Sequence, residues 1–224
     1  QLPGFSDGEW WVQDAAASIP AQLLGDISGL RVADLCAAPG GKTAQLAAAG
    51  AQVTALELSP NRAKRLKANL ERLKLEAEVI VTDLFAYEPT EKFDAVLLDA
   101  PCSSTGTVRR HPDVLWAKGV EDIEKLATLQ ARMLEKAVTL VKPGGRIVFS
   151  NCSLDPLEGE TLYQAFLAAN PQVENDPVNV DELSFVASFL TPHGALRTTP
   201  AGLDLGAPAR SGLDGFYAAR MRLR

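Results

Sequence analysis

Cys102 and Cys152 are the residues of this chain whose type and setting point most directly to covalent chemistry. The first lies in DAPCSST and the second in SNCSLD, each at the polar, serine-rich end of an apolar run where packing gives no reason for a thiol. A thiolate makes covalent intermediates, but an unassisted thiol has a pKa of ~8.5 and needs a cation or hydrogen-bond donor beside it. Cys36, by contrast, is sufficiently explained in itself as a small buried apolar residue.

A second group of residues is suited to holding a ligand. The stretch DLCAAPGGKT, residues 34–43, follows an apolar run and precedes a helical pattern. Its small residues Cys36, Ala37 and Ala38, followed by Pro39, Gly40 and Gly41, let a ligand approach the backbone closely. Free amides at the start of the next helix favour an anionic group such as a carboxylate. The glycine spacing matches neither the dinucleotide fingerprint nor the phosphate-binding loop, and such a loop also serves as a simple packing turn. Lys42 adds weight to the ligand reading, because a cation in the first helical turn opposes the helix dipole and is placed to attract a substrate or a nearby acid.

Glu57, Asp83 and Asp99 end the second, third and fourth apolar runs. A carboxylate at the second position accepts from both hydroxyls of a ribose, and one at the third reaches an adenine edge. Each alone is an ordinary cap or turn residue. Together, beside a glycine loop, they fit a nucleoside that carries an amino acid, as S-adenosylmethionine does. Arg62, at the head of the following helix, joins this cofactor set, whereas Lys64, Arg65 and Lys67 read as a solvated face.

The elements that position these residues follow a βαβ rhythm from Arg31 onward. RVADL, QVTALEL, EVIVTD, FDAVLLDAP and GGRIVFSNCS read as strands, with helices over KTAQLAAAG, from Pro60 to about Leu73, and from about Glu121 to Val141. Near-continuous apolar strands indicate a parallel sheet covered by helices on both faces, with ligands bound outside the carboxyl ends of the strands. The expected fold is a doubly wound, mostly parallel, seven-stranded α/β sheet of Rossmann-like type, in one domain over residues 1–224. Asn170 to Asn179 reads as a connecting loop, and LRTTPAG and DGFYAARMRLR as terminal strands.

With 224 residues, 46% hydrophobic and 22% charged, the chain is long enough for a single well-buried core. No apolar stretch approaches the ~20 residues of a membrane span, and no signal peptide pattern opens the chain, so a cytoplasmic protein with no membrane partner is expected. An odd count of three cysteines argues against a disulfide scaffold, and His111 and His193 are not at metal-ligand spacing, so free thiols and no metal are expected. A net charge of −6 means that any nucleic-acid contact must be justified locally. Oligomeric state is not legible.

The strings DLCAAPGGKT, DAPCSSTGTVRRHPDVLW and SNCSLDPLEGE, with the opening LPGFSDGEWWVQDAAA and the closing DGFYAAR, resemble the RsmB-like (Fmu/Sun) family of RNA cytosine-C5 methyltransferases nearly end to end. The resemblance implies a class I methyltransferase fold and S-adenosylmethionine as cofactor. Ribosomal RNA is the first expected substrate, with transfer RNA open. It implies that Cys152 attacks cytosine carbon 6, that Cys102 assists product release, and that Asp99 touches the cofactor and the cytosine edge. Lys42 is the expected activator of Cys152. Asn151 stands where the family usually has threonine, which leaves the local geometry open. Arg109, Arg110 and His111 are expected to hold phosphates beside a flipped base. Trp10, Trp11, Gln13 and Asp14 resemble the family's opening motif, which packs near the cofactor, though the tryptophans read equally as core. Because the chain starts at Gln1, an upstream RNA-binding domain is expected to be missing from it. Two other readings stand beside this one: a DNA cytosine methyltransferase with Cys102 as nucleophile, and a non-catalytic cofactor-binding scaffold that docks RNA or ribosomes.

Overall fold

In the computed structural model, which describes residues 2–208 and 210–224, strands and helices alternate as expected. A short helix, α1 (Ile19–Gln22), precedes β1 (Arg31–Leu35), α2 (Gly41–Ala48), β2 (Gln52–Glu57), α3 (Pro60–Leu73) and β3 (Glu78–Val81). The second half runs β4 (Phe93–Asp99), α4 (Val114–Ala117), α5 (Val120–Leu140), β5 (Val141–Asn151), α6 (Glu160–Ala169), β6 (Val173–Asn175), β7 (Leu196–Arg197) and β8 (Tyr217–Leu223). The sheet order is β3-β2-β1-β4-β5-β8-β6, with β7 pairing β8 off this path. Strands β1 to β5 are parallel, and β8 is antiparallel to its neighbours.

Among the described residues seven strands thus form the continuous sheet, and the two-residue β7 makes an eighth. LRTTPAG contributes only Leu196 and Arg197 to that strand. The stretch read as a loop from Asn170 to Asn179 contains β6, of which only Val173 is buried. Both corrections have one cause. These strands exist because β8 offers them a ladder, and neither carries an apolar run of its own.

The period-2 alternation of strand side chains explains the two-sided burial. Ala33, Leu35, Val96, Leu98, Ile147 and Phe149 face one apolar cluster, which α5 closes with Met133, Leu134, Ala137 and Leu140. Val32, Ala95, Leu97 and Val148 face the other, with Ile19, Leu23 and Leu24 around α1 and Leu46 of α2. Helix α3 buries Ala63, Leu66, Leu70 and Leu73, one face at helical spacing. It starts with Ser59 as N-cap and Pro60 at its first position, and it ends at Lys74 in the left-handed region. No helix among the described residues is long and apolar enough to cross a membrane.

Strand order reverses at β1, which pairs with β2 on one side and β4 on the other. A crevice opens outside the carboxyl ends at such a switch point. Asp34, Glu57, Asp99 and Asn151 all lie at those ends.

Candidate active site

The Cys102 and Cys152 loops are neighbours because β4 and β5 are. Asp99 pairs with Ser150 in the ladder, and the Ala100 amide still donates to the Ser150 carbonyl at 2.8 Å. Past that point the Gly106 amide donates to the Cys152 carbonyl at 2.9 Å, and the Gly215 amide to the Gly106 carbonyl at 2.8 Å. Glycine is needed at position 106, where a Cβ would lie 1.9 Å from the Gly215 oxygen and 2.8 Å from the Cys152 oxygen. The outcome is a pair of free thiols with Sγ atoms 3.4 Å apart.

The two thiols are unequal. Cys152 is held below the ordinary thiol range, first by its hydrogen bond with Cys102, with burial and the Asp99 carboxylate opposing. The Ser104 hydroxyl and the Lys42 ammonium add smaller lowering effects. Cys102 is raised well above that range by the same hydrogen bond and by burial. Among the groups that lower Cys152 the other thiol therefore comes first, and Lys42 contributes in a secondary way. Lys42 Nζ instead pairs with Asp99 Oδ2 at 2.7 Å and lies 5.0 Å from the centre of the Phe216 ring. Asp99 Oδ1 accepts from the Ser150 hydroxyl at 2.8 Å.

Around these groups a cavity of about 470 Å³ is lined by Cys36, Ala38, Glu57, Arg62, Asp83, Asp99, Cys102 and Cys152 among others. Glu57, only 3% exposed, accepts the Ala38 amide at 3.3 Å and the Ser59 amide at 2.9 Å. Arg62 donates to the Ala38 carbonyl at 2.7 Å and lies 3.5 Å from Glu57, so it braces the glycine loop from outside. Asp83 is exposed and caps the turn that carries Phe85, whose ring shares the cavity wall with Leu84, Leu129 and Met133. An apolar slot beside two strand-end acids suits a flat base with its ribose.

A smaller cavity of about 160 Å³ adjoins it, with Cys36, Ala38 and Asp99 common to both. Its other walls are Ala37, Pro39, Gly41, Lys42, Val12, Gln13, Ala17 and Asp34. Gly40 lines neither cavity. It takes φ 106° as the N-cap of α2, and a Cβ there would meet Leu66 Cδ1 at 2.5 Å, so its role is conformational. Asp34, buried in the penultimate position of β1, was not among the expected site residues. One oxygen accepts from the Thr43 hydroxyl at 2.6 Å, and the other, Oδ1, is buried without a partner. Burial, opposed by that hydrogen bond, pushes its carboxyl up to about 6. The available signal was an acid between the apolar Val32, Ala33 and Leu35 of the RVADL strand. A cationic amino group fits an orphaned carboxylate oxygen at this place. Burial likewise raises the Cys36 thiol to about 12, which leaves it an inert apolar wall.

Arg109, Arg110 and His111 line neither cavity. Arg110 grips the buried Asp214 through two nitrogens, with Nε 3.0 Å from Oδ1. Arg109 Nη2 pairs with Asp14 at 3.0 Å and lies 3.6 Å from Asp214. These guanidinium groups tie the Cys102 loop to both ends of the chain, where they were expected to meet phosphates. The opening segment also turns toward the site. Gln13 bridges Ala17 and Gln45, while Trp11 donates to Gln13 and Trp10 to Pro3, and both tryptophans are half-buried. No group of histidine, cysteine and acidic residues among those described is arranged to hold a metal.

The sheet order and the position of the crevice define a Rossmann-like protein of the methyltransferase type, and solved methyltransferases share the fold. Residues 21–222 match the family described as 16S rRNA methyltransferase RsmB/F, and the chain belongs to that family. The ribosomal RNA small subunit methyltransferase B of Vibrio vulnificus is 44% identical over 223 residues, covering 97% of this chain and 48% of that protein. The Pseudomonas putida protein of the same name is 39% identical over 226 residues, covering 98% and 49%. The chain thus spans about half the length of the curated relatives it matches. A methyltransferase homologue from Pyrococcus horikoshii superposes with a TM-score of 0.78 at 31% identity, covering 100% of this chain and 71% of that one. NSun6 from the same organism, solved with SFG, has a TM-score of 0.80 at 22% identity and covers 100% and 55%, a likeness of fold.

Proposed function

We propose that this chain is the catalytic unit of an S-adenosylmethionine-dependent methyltransferase that modifies carbon 5 of cytosine in RNA, with small-subunit ribosomal RNA as substrate. The observation that carries it is the pair of thiols 3.4 Å apart, facing the same cavity as Asp99, Glu57 and Asp83. One reactive thiol suffices for many covalent mechanisms. A depressed thiol beside a raised one suits a reaction that must both make and break a carbon–sulfur bond.

In this reading Glu57 receives the ribose hydroxyls of the cofactor, the slot of Leu84, Phe85 and Met133 its base, and Asp34 with Asp99 its ammonium group. S-adenosylmethionine supplies an electrophilic methyl group. Cys152 Sγ adds to cytosine carbon 6, and the electron pair released toward carbon 5 makes that carbon the nucleophile for the methyl, whose bond to the sulfonium breaks with its electron pair remaining on that sulfur. Asp99 holds the pyrimidine edge, stabilising a proton at ring nitrogen 3. A base then takes the proton from carbon 5, the electron pair re-forms the 5,6 double bond, and Cys152 leaves as thiolate. The raised Cys102 keeps a proton available beside the departing sulfur. A ribosomal substrate in a bacterium also implies a cytoplasmic site of action.

The test is transfer of labelled methyl to small-subunit RNA, followed by mapping of 5-methylcytosine with and without the protein. Label in transfer RNA only would move the substrate, and label in DNA only would replace the reading with the DNA enzyme. No label in any pool, with the family's upstream segment also supplied, would leave a non-catalytic scaffold.

A further inference from the structure

Behind the two thiols lies a buried polar cluster centred on a carboxyl group that the reaction as written does not use. Glu158 closes the turn Pro156–Glu158 after the Cys152 loop and is 0% exposed. Its Oε1 accepts the Ser103 amide at 2.9 Å and Gln130 Nε2 at 2.9 Å, and its Oε2 accepts the Ser103 hydroxyl. All these partners are neutral donors. Burying an acceptor-only carboxyl among neutral groups costs several kcal/mol unless every lone pair is engaged, so a purely structural role would be served as well by apolar residues.

The partners of Glu158 share one property: they flank the cysteines. Ser103 follows Cys102, and Gln130 also donates to the carbonyl of Pro101, which precedes it, at 2.9 Å. Asn151 precedes Cys152, and its Nδ2 donates to the Glu158 carbonyl at 2.6 Å. Ser153 follows Cys152, and its hydroxyl lies 3.0 Å from that of Ser103. Every residue next to either thiol is therefore held by Glu158 directly or at one remove. The side chain of Asn151 also accepts the Ser153 amide at 3.0 Å, so the departure from threonine is absorbed into the same cluster.

We infer that Glu158 is a positioning residue for the proposed reaction: through Ser103, Gln130 and Asn151 it fixes the Cys102 and Cys152 thiols against each other. Its charge acts in the same sense, adding to the groups that raise Cys102. The other charged groups around the pair are Asp99 at the end of β4, Lys42 on α2, Arg110 beyond the Cys102 loop and Arg197 of β7, which donates to the Ser153 carbonyl at 2.5 Å. None of them bonds to residues on both sides of the two thiols. The inference rests on the two-thiol reading above.

Glu158→Gln keeps size and shape while removing the charge and one acceptor. Three quantities are measured on the full chain: S-adenosylhomocysteine affinity by calorimetry, iodoacetamide alkylation at each cysteine by peptide mass, and kcat and KM for methyl transfer. The expected result is unchanged S-adenosylhomocysteine affinity, loss of the wild-type preference for alkylating Cys152 over Cys102, and kcat lower by about tenfold or more with KM nearly constant. Wild-type alkylation selectivity in the variant would overturn the inference, as would S-adenosylhomocysteine affinity falling in step with kcat. If Glu158→Gln does not fold, Ser103→Ala removes the hydroxyl contact to Oε2 from the other side while keeping the amide contact, and unchanged selectivity there sinks the idea equally. Should the wild type transfer no methyl group at all, the proposed function fails while the alkylation ratio still decides the role of Glu158.

Discussion

Cys102 and Cys152 lie 50 residues apart in the chain and 3.4 Å apart at sulfur. Their closeness follows from the β4–β5 pairing, which runs in register to Asp99 and Ser150 and delivers both loops to one spot. If the lowered thiol attacks and the raised one assists departure, the single variants behave differently. Cys152→Ala abolishes transfer, whereas Cys102→Ala traps an enzyme–RNA adduct that survives on a denaturing gel. An adduct from Cys152→Ala would reverse the assignment.

A buried Asp34 makes stability pH-dependent and, if it receives the cofactor's ammonium group as proposed, makes cofactor binding pH-dependent too. Its carboxyl sits near 6 in the fold and near ~3.9 in the unfolded chain, so the folded state holds the extra proton between these values. The stabilisation from this group is complete below about pH 4 and is lost as pH rises to about 6, amounting to roughly 3 kcal/mol. Asp34→Asn should remove that slope from urea-unfolding midpoints measured between pH 5 and pH 7. Binding of a cationic ligand at Oδ1 favours the ionised carboxylate, so S-adenosylhomocysteine should bind more weakly at pH 5 and release protons as it binds. Affinity independent of pH in wild type would remove Asp34 from the ammonium site.

Gly106 is the contact point of three loops, with a Cβ position 1.9 Å from the Gly215 carbonyl oxygen. Both neighbours are backbone and cannot swing aside. Gly106→Ala should cost about 3 kcal/mol in urea unfolding and spread the thiol pair, lowering Cys152 alkylation rates. Stability within 0.5 kcal/mol of wild type would mean the loops can part freely, at roughly the level of an ordinary surface change.

Arg110 separates two roles cleanly. Its partner Asp214 has a side chain only 1% exposed, so Arg110→Ala leaves a buried carboxylate short of its bidentate donor. Because the arginine itself is 45% exposed, solvent recovers part of the loss, and about 2 kcal/mol is expected. A phosphate-binding arginine would instead leave stability unchanged and reduce the salt dependence of RNA affinity. The latter pattern would support the expected phosphate contact.

The doubly wound sheet was legible because β1, β2, β4 and β5 carry apolar runs that only a sheet buried on both faces explains. The strand-end acids and the glycine loop were legible for the same reason, since a strand whose end is known fixes where the next residue points. β6 was missed because three residues, two of them exposed, carry no pattern until β8 pairs with them.

By itself, then, the amino-acid order determined which residue types stand at the carboxyl ends of the strands, two thiols and the acids, with Lys42 at the start of the following helix. Tertiary structure decided how they are used. It paired Lys42 with Asp99, and it made Cys102 the chief neighbour of Cys152. It committed Arg109 to Asp14 and Arg110 to Asp214, across separations of 95 and 104 residues. It placed Glu158 behind both thiols and left Asp34 with an open oxygen. The physical reason is range. Strand periodicity is set by neighbours two residues away, whereas a buried charge finds its partner only after the sheet has closed and water has been removed from around it.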